Sequence, residues 1–149
     1  MPLSSQVVEV EDYAKAAELF QERGWTDGLP IVPPTEEAVT RFLDHVNLDP
    51  DHVVAELVER GRIITAEKVA INAVMAGCKP EYMPVVVTAM ECLGTPEYPM
   101  NHLASMGSPW IMIVVNGPIA KQIGLNSGMY CLGSGTRSNC TIARAISLV

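Results

Sequence analysis

The segment that most constrains this chain is its last nineteen or so residues. A glycine-rich stretch, Cys131-Leu-Gly133-Ser134-Gly135-Thr136-Arg137-Ser138-Asn139, runs into Thr141-Ile-Ala-Arg-Ala-Ile-Ser-Leu-Val149. Ile142, Ala145, Ile146 and Val149 follow the i, i+3, i+4, i+7 spacing of an amphipathic helix, whose apolar stripe demands cover. No glycine, asparagine or proline follows to cap it, and the last four carbonyls of a helix need partners. The expectation from this pattern is that protein outside these 149 residues covers the stripe, either a second polypeptide or another copy of the chain. The apolar share of 48 % and the charged share of 18 % agree, since soluble domains are usually about a quarter charged.

The length fits one domain, residues 1–149, with a sizeable core, read as one subunit of a larger assembly. A net charge of −7 with ten basic residues and no basic run argues against nucleic acid as a partner. The longest nearly apolar run, Trp110 to Val115, is far short of the roughly 20 residues a bilayer requires, and no secretory signal is read at the N-terminus. Cys78, Cys92, Cys131 and Cys140 are widely spaced, without a Cys-x-x-Cys, and are read as thiols in the cytoplasm. Their spacing, and the scatter of His45, His52 and His102, give no metal-site pattern. No cofactor is indicated.

Along the chain, helices are expected at Asp12–Arg23, Glu36 to about Val46 behind Thr35, Ala66 to about Ala76 behind Thr65, and Glu81 to about Leu93. A short helix is expected near Ile119–Ile123. Val53–Val58 is read as a strand in preference to a short helix, and Trp110–Val115, short and β-branched, as the best strand of the chain. The class is α/β or α+β, helix-dominated with a small sheet that a partner chain would complete. Trp25, beside the Asp27-Gly28 turn, is read as a core plug, the alternative being that Trp25 and Asp27 line a site.

Two segments could carry chemistry. In the first, Gly133 and Gly135 permit positive φ, so backbone N–H groups can converge on an anion at a helix N-terminus; Arg137 adds a fixed charge and Asn139 a donor. The alternative is an ordinary capped turn with a solvated arginine. In the second, Asn72-Ala-Val-Met-Ala-Gly77-Cys78-Lys79-Pro80-Glu81-Tyr82, a cysteine lies between two apolar helices. A thiol near a helix N-terminus and Lys79 could have a lowered pKa, making Cys78 a nucleophile, and a partly buried Glu81 could move protons. The alternative is a small apolar cysteine in a tight hairpin. Asn72, Tyr82, His102 and Asn116 complete the candidate substrate-binding set with Gly133, Gly135, Arg137 and Asn139.

The motifs Gly24-Trp-Thr-Asp-Gly-Leu-Pro-Ile-Val-Pro-Pro-Thr35 and Glu67-Lys-Val-Ala-Ile-Asn-Ala-Val-Met-Ala-Gly-Cys-Lys-Pro-Glu-Tyr82 resemble a widespread family of poorly characterised bacterial proteins. Val114-Val-Asn-Gly-Pro-Ile119 and the Gly-x-Gly-x-Arg-x-Asn-x-Thr-Ile segment ending at Ile142 are similar to it as well. The resemblance implies a chain that continues past Val149, and a thiol or selenol partner protein with a Sec/Cys-Gly-Ser-Cys motif. Asn101 to Pro109 departs from the family pattern, which leaves the role of His102 open. The leading expectation is therefore a subunit of a thiol-dependent enzyme, a lyase or hydrolase, acting on a small anion. Carbon–sulfur bond chemistry, hydration or elimination, and hydrolysis all fit such a site. The alternatives are a non-catalytic scaffold for a catalytic partner and a small-anion binding module.

Overall fold

The structure, a computed structural model, describes residues 2–57, 61–98 and 111–149. Among these the fold is α+β: six α-helices and one two-stranded antiparallel sheet. The helices are α1 (Tyr13–Glu22), α2 (Glu36–Val46), α3 (Ala66–Met75), α4 (Met83–Leu93), α5 (Pro118–Gln122) and α6 (Arg137–Leu148), and the strands β1 (Val53–Leu57) and β2 (Arg62–Thr65).

Helix α3 is the centre, and its composition explains why. Ala66, Val69, Ala70 and Ala73 have no exposed surface, and such small side chains let α2, α4 and α6 pack closely around them. Local chemistry sets the ends of these helices. The Thr35 and Thr65 hydroxyls accept the Ala38 and Lys68 N–H groups, and Asn47 closes α2 in the left-handed region at φ 52°. α4 starts two residues later than the sequence pattern predicts. A 3-10 turn over Pro80–Tyr82 precedes it, closed by the Met83 N–H on Pro80 O, and Pro84, which lacks an N–H, fits only in the first turn.

The hairpin pairs Ala55 with Ile64 and Leu57 with Arg62, with a bulge between Val53 and Ala55. The extra residue turns two neighbours, Val54 and Ala55, toward the core together. α4 ends against this bulge at Gly94, where a Cβ would lie 2.7 Å from the Ala55 Cβ.

Three expectations are corrected. The stripe of α6 is covered by its own chain: Ile142, Ala145 and Ile146 are 3 %, 0 % and 6 % exposed, and the helix packs on α3 and α4. The stripe therefore gives no argument for a second protein. The helix also begins at Arg137, inside the segment read as loop. Residues 111–115 are extended, with Ile111, Ile113 and Val115 half-buried and Met112 and Val114 about 70 % exposed, but no strand ladder joins them among the described residues. The remainder of that predicted strand, Trp110, lies outside the described residues. No helix of the described residues is long and apolar enough to cross a membrane.

Candidate functional site

The α3–α4 junction is a Schellman turn: the Cys78 N–H donates to Ala73 O at 3.0 Å and the Gly77 N–H to Val74 O at 2.9 Å, with Gly77 at φ 85°. The turn leaves the carbonyls of Gly77 and Cys78 available to α6. Arg137, on the first turn of α6, takes both: its Nε donates to Gly77 O at 2.9 Å and its Nη2 to Cys78 O at 3.4 Å. The two segments singled out in the sequence, some 60 positions apart, thus meet at one side chain.

The glycine loop is built around Asn139. Its Oδ1 accepts the Asn126 N–H at 2.9 Å, and its Nδ2 donates to Asn126 O and Cys131 O, both at 2.9 Å. The buried Ser138 hydroxyl donates to Gly124 O at 2.9 Å. Asn139 is therefore a loop tie, and its amide is not directed at a ligand as expected. Gly135, at φ 116°, turns the chain into α6, whereas Gly133 lies against Tyr130, to which its N–H is bonded at the carbonyl. Thr136 caps α6 by position without a side-chain hydrogen bond. Arg137 is exposed on the first turn of α6, where no side chain caps the helix, and a helix N-terminus beside a guanidinium favours an anion.

The expected activation of Cys78 is not found. The thiol is 6 % exposed, and burial pushes it up to about 11, outweighing a hydrogen bond with the Thr141 hydroxyl and the charge of Arg137. A thiol in that state is protonated at neutral pH and a poor nucleophile. Glu81 is exposed on the 3-10 turn, without the partial burial expected of it. Tyr82 is 5 % exposed and packs in the core, without the open face expected of a binding residue. Asn72 lines a different cleft, Asn116 is exposed ahead of α5, and His102 lies outside the described residues. Cys140 is the exposed thiol of this region, its Sγ 3.6 Å from Gly133 O; Cys131 is half-buried.

Two side chains that tie distant segments together, Arg144 and Glu67, escaped the sequence reading. Arg144 Nε and Nη2 grip the two Asp27 carboxylate oxygens at 2.8 and 2.7 Å, while Nη1 and Nη2 reach Pro30 O and Leu29 O at 2.9 and 3.3 Å. The Arg144 hydrogen bonds hold the Asp27 carboxyl down at about 2. Glu67, 1 % exposed, accepts the Ser4 and Ser5 N–H groups and the Ser4 hydroxyl at 2.8–3.1 Å. Burial alone would raise its pKa, yet these donors hold it at about 2. One signal was available: Arg137, Thr141 and Arg144 are spaced i, i+4, i+7 and therefore share a face of α6. Trp25, expected as a core plug, is 41 % exposed, edge-on to Phe20 and under Arg23.

Compared with protein-family models, with curated proteins and with solved structures, the chain matches none.

Proposed function

We propose that this chain holds a small anion at the N-terminal edge of α6, as the binding subunit of a cytoplasmic thiol-dependent enzyme. The observation that carries this reading is Arg137, fixed by the Gly77 and Cys78 carbonyls beside an α6 N-terminus that has no side-chain cap. A guanidinium held in this way offers its remaining N–H groups to a carboxylate or phosphate at little entropic cost. The buried, protonated Cys78 moves the nucleophile elsewhere, to a thiol or selenol of a partner subunit, in line with the family resemblance. Glu81, solvent-exposed near the same turn, is the group available to exchange protons.

The same state of Cys78 favours a second reading, a small-anion binding module with no chemistry of its own. Calorimetric titration with phosphate and with acetate tests the shared core of both. Saturable binding that Arg137→Met weakens at least tenfold supports it; binding indifferent to that change refutes it. Reconstitution with co-purifying protein, identified by native mass spectrometry, then separates enzyme subunit from module by turnover.

A further inference from the structure

A cleft of about 910 Å³ lies at the other end of α6, where Ser147 and Leu148 contribute to its lining. Eleven residues of helix, about 16 Å, separate it from Arg137. Its volume is within the roughly 300–1,000 Å³ typical of small-molecule sites. α3 supplies Ile71, Asn72 and Met75 to the lining. Phe20 and Trp25 supply an aromatic pair to the lining, their rings 5.4 Å apart at 84°, and Pro33 and Pro34 add two saturated rings. Val7, Val8 and Val10 belong to an extended N-terminal strap that completes the enclosure.

Both segments around this cleft that are not helical are pinned. Glu67 fixes the strap through Ser4 and Ser5, and Arg144 fixes the Trp25–Pro34 loop through Asp27. The Val32 N–H adds a third tie, to Met75 O at 3.1 Å. These ties hold both segments against the helices, which lowers the cost of ordering them around a ligand.

The charges around it select the kind of ligand. Asp27 is neutralised by Arg144, and Glu67 is ionised and satisfied by serine donors. Lys68 donates to Ser5 Oγ at 3.1 Å, next to the Glu67 carboxylate, and Glu36 adds a second acid to the lining. With Asp27 paired to Arg144, the lining keeps two acids, Glu36 and Glu67, against one base, Lys68, a balance that disfavours an anion. Asn72 donates its Nδ2 to Lys68 O at 2.9 Å and, among the described residues, its Oδ1 accepts no hydrogen bond. We infer that this cleft binds an uncharged, ring-bearing molecule that donates one hydrogen bond, its ring between the Phe20–Trp25 pair and the prolines and its donor on Asn72 Oδ1. The site is distinct from the anion edge and does not depend on it.

The test titrates the full chain with 2-naphthalenemethanol, by calorimetry and by following the Trp25 indole N–H, assigned with Trp25→Phe, in two-dimensional NMR spectra. One-to-one binding that shifts the Trp25 signal is expected, with 2-naphthoate at least tenfold weaker and inorganic phosphate not competing. Asn72→Ala should weaken binding about fivefold, the effect of one neutral hydrogen bond. Ile71→Trp should fill the cleft and abolish binding; Val8→Trp, on the strap, does the same with less risk to the core. Four results would overturn the inference: no saturable binding, naphthoate binding as tightly as the alcohol, folded filling variants that bind like wild type, or a Trp25 signal that moves with protein concentration alone, as at a contact between copies.

Discussion

The N-terminal segment, residues 4–34, and the loop at 124–136 lie against the same helices but are held by different chemistry. The first is fastened by ions: the Glu67 carboxylate on Ser4 and Ser5, and the Arg144 guanidinium on Asp27. The second is fastened by neutral groups, the Asn139 amide and the Ser138 hydroxyl on backbone atoms of residues 124, 126 and 131. The first region should therefore respond to pH and salt and the second should not, although their hydrogen bonds have similar lengths.

The comparison breaks most easily at Glu67. Glu67→Gln removes the ionised acceptor from a buried position and should destabilise the protein by about 3 kcal/mol, read by denaturant titration. Asn139→Ala cuts three neutral bonds and should cost about 2 kcal/mol, with the same value at low and high salt. Equal salt sensitivity in the two variants would erase the distinction. Arg144→Met should cost about 1 kcal/mol, since its pair is partly solvated, and the loss should shrink in 1 M salt.

Acid sharpens the contrast. The folded pKa values of Glu67 and Asp27 are depressed from 4.5 and 3.8 to about 2. Their contribution is therefore complete above about 4.5 and is lost as pH falls toward 2. Amide exchange and proteolysis should accordingly find residues 4–34 loosened first in that window, ahead of the loop at 124–136, whose anchors do not titrate. The smallest effect is expected at Cys78: under native conditions at pH 7, iodoacetamide should label Cys140 well before Cys78, because only the former is exposed.

What could be read from the sequence was what neighbours along the chain decide. Thr35 and Thr65 before apolar-periodic runs placed α2 and α3, and Gly77 after Ala76 placed the turn between α3 and α4. The glycine loop and the Cys78 turn were recognised separately, but nothing local tells that Arg137 would join them. The fate of Cys78 was misjudged for the same reason: its pKa is governed by burial among helices distant in sequence. The role of Glu67 was not legible because its partners lie 62 and 63 positions away. The stripe of α6 was identified correctly, while the surface that covers it, α3 and α4, was out of reach of a periodicity argument.

The contact at Gly94 has a consequence for how the small sheet survives at all. A two-stranded hairpin is marginal alone in water, and this one is seated where the end of a helix approaches to within the thickness of a missing methyl group. Here the backbone geometry is ordinary for any amino acid, so spatial crowding rather than torsional freedom reserves the position. Enlarging it by a single carbon would act as a wedge, prying the hairpin from the helical body and exposing the bulge that both share.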